Sequence, residues 1–304
     1  MSTSPSQKSA SSSAPNSLTS QRGLRHRVRD GAFRGAVTGS VVVGLVVLVA
    51  LILQSLIEGW PRLNLELITN FPSSFPEKAG IQSAIFGTLW MVGIVLVVAV
   101  PIGVGAAVYM EEFAATEAWY NRFIDLIIQN LAAVPAIVYG ILGLAFLARG
   151  LLNFGPVVIT AGLTLSFLVL PVVIIASREA IRAVPSSILD GALALGATRW
   201  QGVSRQVLPA SIPGIATGSI LAVSRAIGEA APLLLLGGLQ FITFNPTGLD
   251  SSFTVLPIQI FNWISRPQEG FHIAAAAAII VLLGITLLMN AVAIWLRNRF
   301  QQSW

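Results

Sequence analysis

The chain has 304 residues, of which 55% are hydrophobic and 10% charged, against about 25% charged in soluble domains. That deficit cannot clothe a water-facing surface and excludes a soluble globular fold. The net charge of +5 comes from 16 Arg and 2 Lys in small groups between apolar runs, a distribution that fits membrane topology and not a nucleic-acid footprint. No cysteine is present, which excludes disulfides, thiolate metal sites and cysteine nucleophiles.

The sequence therefore predicts an all-α integral membrane protein. Residues 1–34 are expected to be a disordered cytoplasmic tail: the first twenty are rich in Ser, Thr, Ala and Pro, and Arg22, Arg25, Arg27, Arg29 and Arg34 follow. The next 23 residues, 35–57, are uncharged, longer than the roughly 7 to 15 of a signal-peptide core. They open a membrane domain expected over 35–300. Its spans need about 20 mainly apolar residues each, which places them near 35–57, 84–109, 126–148, 156–177, 207–237 and 273–296. The charged stretch 111–125 is expected to lie along the membrane surface, and 178–206 to form a cytoplasmic loop. Residues 239–269 form an external loop whose stretch 255–264, with Trp263, reads as an interfacial or re-entrant helix.

Lys and Arg accumulate in cytoplasmic loops. With the N-terminus inside, thirteen basic residues lie on the cytoplasmic side and four outside, so both termini are expected in the cytoplasm. Neither lysine follows the glycine pattern of a phosphate-binding loop, so any ATP would be bound by another chain. The parts of a serine, zinc or intramembrane aspartyl hydrolase are missing, and His26 and His272 lack carboxylate companions for a metal. Gly103 and Gly105 read as packing positions, and Asn290 as a hydrogen-bonding partner for a neighbouring helix.

Two constellations carry chemistry. In the cytoplasmic loop, Pro185 and Ser186 open a short helix with Ile188, Leu189, Ala192 and Leu195 on one stripe, and Gly196 turns the chain. An exposed apolar ridge suits a groove on a partner, the alternative being a helix lying against headgroups. In the fifth span, Arg225 and Glu229 are spaced for pairing on one helical face. Gly214, Gly218 and Ala222 on the same helix permit close approach of a neighbour, so the charged pair is expected near a helix–helix seam, which at an interface of two permeases would carry a translocation path. Intramembrane charges mark either a transport path or a structural pair.

The loop resembles the EAA loop that docks ABC-importer permeases onto their ATPases. Asp190, Gly191 and Ala192, then Gly196, then Leu208 and Pro209 stand at the matching spacings, with Asp190 and Gly191 departing in type and Gln206 at the usual Ile position. Within that superfamily the chain is similar to phosphate permeases of the PstA type. The similarity runs through residues 195–201, 208–218 and 224–234, through Val134-Pro135-Ala136-Ile137-Val138-Tyr139-Gly140, and through Leu256-Pro257-Ile258-Gln259-Ile260. It covers about residues 80 to 300. The resemblance implies a six-helix type I importer domain with a cytoplasmic coupling helix. Its partners would be a second, PstC-like permease, a PstB-like ATPase dimer, a PstS-like external phosphate-binding protein and membrane lipid. ATP would bind to the ATPase, with no cofactor or catalytic site on this chain. Arg225 and Glu229 would then face the substrate path, because a guanidinium can lose water and still give phosphate fixed hydrogen bonds. The other readings are a permease for sulfate, molybdate or phosphonate, or a stand-alone secondary transporter.

Overall fold

The uncharged stretches are helical in the computed structural model, which describes residues 24–115, 118–150, 152–238 and 241–300. Among these residues there is no strand, only an isolated bridge between Val157 and Ser252. Among the described residues five helices are long and apolar enough to cross a membrane, or six if a sharply bent pair counts as one span.

The chain divides into two units, Met1–Ile52 and Leu53–Trp304. The first unit holds most of α1 (Leu24–Gly59). Every described side chain from 31 to 54 is exposed, so this apolar helix has no cover within its own unit. The helix begins at Leu24, inside the segment expected to be a tail. Its arginines are good helix formers and simply extend the rod past the apolar run. Residues 1–23 of the expected tail lie outside the described residues.

In the second unit, a 3-10 turn Trp60–Arg62 and the short α2 (Leu65–Thr69) lead to α3 (Gln82–Val108), which ends in a π-helical turn, Tyr109–Phe113. The third span is not the single straight helix expected. It consists of α4 (Trp119–Ala132) and α5 (Ala136–Leu142), the latter continued by a π turn to Ala148, and the two limbs meet at 104°. Pro135 supplies no amide and disfavours helix at the residue before it, which breaks the ladder. Tyr139 repairs part of the damage by donating its hydroxyl to the Leu131 carbonyl at 2.9 Å.

At the centre stands α6 (Val158–Arg182), packed against α3 and against α9 (Leu208–Gly228). Small residues set these crossings, as in membrane bundles where van der Waals fit replaces the hydrophobic effect. A Cβ on Gly162 would meet the Ile94 side chain at 2.6 Å, and one on Gly103 would meet Val173 at 2.6 Å. Gly214 and Gly218 lie against Ala180 and Ala176, where a Cβ would come within 2.6 and 2.3 Å. The small-residue series of α9 thus makes a close helix–helix seam with α6 within the chain.

Between these helices lie α7 (Ser186–Ala194), α8 (Arg199–Gly202) and a π turn Val203–Val207 that joins α8 to α9. After α9 come α10 (Ala231–Leu235), α11 (Leu256–Ile264) and α12 (Glu269–Phe300). The helix α11, expected to be interfacial or re-entrant, is covered by protein. Trp263 is fully buried in a cluster with Leu67, Ile81, Phe271 and Ala274, because an apolar face this complete finds cover on α12. The loop before it is pinned to the bundle: Leu249 and Ser251 carbonyls accept from the Ile159 and Val158 amides at 2.8 and 2.9 Å, satisfying the free N-terminal amides of α6. Trp90 donates to the Pro246 carbonyl at 3.0 Å, and the Leu256 amide donates to Thr88 at 3.1 Å.

Candidate substrate path and docking module

The expected docking loop is mostly helical, with only 183–185 and 195–198 outside helices. Gly196 adopts φ +87° at the end of α7, a conformation open chiefly to glycine. Thr198 then caps α8 in a reciprocal box with Gln201. From Arg199 the chain is helical without interruption to Gly228, so the predicted start of the span near 207 is a point inside a longer rod. Pro209 stands directly after the π turn Val203–Val207, where the hydrogen-bond ladder has already shifted register.

The apolar stripe of α7 is divided. Leu189 turns inward onto Gly202 and a buried cluster of Ala107, Val108, Ile181, Val203, Val207 and Ile215, whereas Leu195 is 91% exposed. Ile188 and Ala192 are half-buried, and Asp190 and Gly191 are exposed. Nothing lies within 4 Å of where a Gly191 Cβ would be. What remains free is therefore Leu195, Leu193 and the edge carrying Asp190 and Gly191, a narrower ridge than the full stripe. Trp200 is also exposed, its ring centroid 6.1 Å from that of Phe113.

At the other end of the rod, Arg225 sits in the last turn of α9 and not in mid-helix. By helix rise it stands about 25 Å beyond Leu208. Glu229 is the C-cap, with extended backbone. The two still pair, Arg225 Nε to Glu229 Oε1 at 3.3 Å, with side chains 53% and 22% exposed. A cation there faces the free carbonyls and negative end of the helix dipole, which offsets part of the cost expected at mid-span. This pair is half-open: among the described residues Glu229 meets only the Nε edge of the guanidinium. Ser224 donates to Asn290 Oδ1, tying α9 to α12 one residue before the arginine, as expected for Asn290.

The breaks at 133–135 and 229–230 are brought together by packing of α5 against α10. Gly140 lies so close to Pro232 that a Cβ would meet its backbone at 2.6 Å. Two segments singled out in the sequence, Val134–Gly140 and Arg225–Leu234, thus form one contact region beside the charged pair.

The sequence reading missed a charged cluster under the docking module. Glu111 accepts from Arg178 Nε at 2.6 Å and from Arg182 Nε at 2.8 Å, Arg178 also pairs with Asp125, and Glu112 lies 3.8 Å from Arg199. The signal was available: acidic residues crowd 111–125 exactly where the arginines of 178–199 are expected on the same membrane side.

The family model "Binding-protein-dependent transport system inner membrane component" matches residues 99–302. The chain belongs to this family. As an inner-membrane transport component it is 32% identical over 246 residues to a probable ABC transporter permease protein, YqgI, of Bacillus subtilis (strain 168), covering 81% of this chain and 82% of that one. It is 29% identical over 278 residues to the phosphate transport system permease protein PstA 1 of Mycobacterium tuberculosis (strain H37Rv), covering 90% and 89%. Its fold matches a permease chain in the crystal structure of a bacterial alginate ABC transporter in complex with an alginate-bound periplasmic protein, with a TM-score of 0.67, 18% identity, and 93% and 99% of the two chains covered. A MetNI methionine ABC transporter in an inward-facing conformation gives a TM-score of 0.57 at 16% identity, over 73% and 95%. The inner-membrane component is thus a multi-pass ABC importer permease of the type I fold, as the sequence predicts.

Proposed function

We propose that this permease forms the translocation path of an ATP-driven inorganic phosphate importer together with a second, PstC-like permease. A PstB-like ATPase dimer would bind ATP, and a PstS-like external protein would deliver the anion. Both termini are cytoplasmic in this reading, and the chain itself performs no covalent chemistry. The observation that carries the reading is the half-open Arg225–Glu229 pair at one end of a helix whose other end lies in the docking module. Its support for phosphate in particular is the similarity to PstA 1 over nine-tenths of the chain.

The mechanism follows from the geometry. The ridge of Leu195, Asp190, Gly191 and Ala192, turned by Gly196 and carried on by Leu208 and Pro209, seats in a groove of the ATPase. Closure of the ATPase dimer moves this ridge, and the rod from Arg199 to Gly228 carries the movement to Arg225. There the guanidinium offers planar paired donors to phosphate oxygens, and Glu229, bonded to Nε, holds it in place or closes the path when no anion is present. A guanidinium would serve sulfate or molybdate as well, so substrate competition is part of the test.

The experiment is uptake of radiolabelled phosphate by the reconstituted complex, with unlabelled sulfate, molybdate and phosphonate as competitors. Only unlabelled phosphate should compete at equal concentration. The Arg225→Met, Glu229→Met double variant should assemble, since apolar replacement of an ion pair is often neutral, yet fail to transport. Arg225→Lys should be impaired for lack of the two-pronged contact. Near-normal uptake by the double variant would show that the pair only holds the fold.

A further inference from the structure

The charges under the docking module are joined across elements, and those at its centre are largely covered. Arg178 is 11% exposed and Glu111 12%, and charges so placed are stabilising only when tightly partnered. Each carboxylate here comes from a different element from its arginine. Glu111 belongs to the π turn after α3, Asp125 to α4, Arg178 and Arg182 to successive turns of α6, and Arg199, beside Glu112, to α8.

The contacts form a continuous series. Arg199 on the docking module meets Glu112, and Trp200 meets Phe113. Glu111, the next residue in the same turn, holds Arg178, and Arg178 holds Asp125. Asp125 lies about two helical turns before the break at Ala133. Beyond the break, α5 rests on Pro232 through Gly140, beside Glu229.

We infer that Glu111, Arg178 and Asp125 are positioning residues for coupling, which carry displacement of the docking module into the bent third span. The rod of α8 and α9 brings the same displacement to Glu229, so both sides of the α5 and α10 contact receive it together. If Asp125 lets go of Arg178, α4 no longer follows, and the two sides move out of step. The inference rests on the ATP-coupled reading above.

The test is the ratio of ATP hydrolysed to phosphate imported in the reconstituted complex of all subunits. In Asp125→Asn this ratio should rise by about two- to thirtyfold, the span expected for residues along a coupling network, with subunit stoichiometry unchanged. Asp125→Glu, which keeps the charge, should restore it. A merely structural role would lower the yield of complex and leave the ratio alone, and an unchanged ratio in Asp125→Asn would overturn the inference. Should Asp125→Asn fail to assemble, the triple variant Glu111→Gln, Asp125→Leu, Arg178→Met removes the charges together; an unaltered ratio there, or failure of both variants to assemble, assigns the cluster to folding and overturns the inference. A wild-type complex that imports no phosphate on ATP hydrolysis would instead refute the transport reading and is distinguishable at once.

Discussion

Gly196 occupies a backbone conformation that a β-branched residue reaches only under strain. Gly196→Val would cost the docking turn about 1 to 3 kcal/mol, enough to weaken docking by about fivefold or more. The measurement is the amount of ATPase subunit retained by a tagged permease at fixed salt, and full retention would remove Gly196 from the docking role. Gly191 makes the opposite case. It lies inside α7 with open space around it, and Ala is the better helix former by about 1 kcal/mol, so Gly191→Ala should retain the ATPase at least as well as the parent. Arg225 and Glu229 were legible as a pair from their spacing alone. Their position was not: Pro232 ends the helix just after them, converting a presumed mid-span ion pair into a half-open one at a helix end.

At the scale of elements, the close crossing of α6 and α9 rests on glycine. A Cβ at 218 would press on Ala176 at 2.3 Å, and neither helix backbone can yield without opening the core around Ala222 and Val173. Gly218→Val is expected to destabilise by about 1 to 3 kcal/mol, read as a lowered Tm of the detergent-solubilised permease. Gly93→Ala, on the exposed face of α3 with nothing near the new methyl, should leave Tm unchanged or somewhat raised; equal Tm for both variants would refute the packing argument. The spans themselves were legible because lipid demands length and low charge, which a sequence displays directly. The bend in the third span was not, since a count of uncharged residues weighs Pro135 like any other. The burial of α11 was missed for a related reason: Trp263 suits a headgroup interface and a packed core equally, and only the partner helix decides. The ion pairs of Arg178 join residues far apart in sequence, and spacing rules built on single helices do not reach them.

For the whole molecule, the proposed orientation has a direct consequence. The Arg297 and Arg299 end of α12 should share a compartment with the docking module around Arg199. A reporter fused to the C-terminus should be active only in a form that works in the cytoplasm, and activity of an exclusively external reporter would overturn the orientation. The same arrangement bears on how the protein is made. The helix α1 has 36 residues and so spans about 54 Å, well beyond the roughly 30 Å of a bilayer core. Its described side chains from 31 to 54 find no cover in their own unit. It precedes every other described helix, so during synthesis it meets the insertion machinery while the core around α6 does not yet exist. A helix in that position cannot borrow stability from later partners. An 18-residue window of it with mean hydropathy 2.8 lets it settle in lipid alone, and in the proposed orientation the arginines of its first turns hold that end at the ribosome's side. In the proposed orientation α1 thus inserts before the other described spans and without their help.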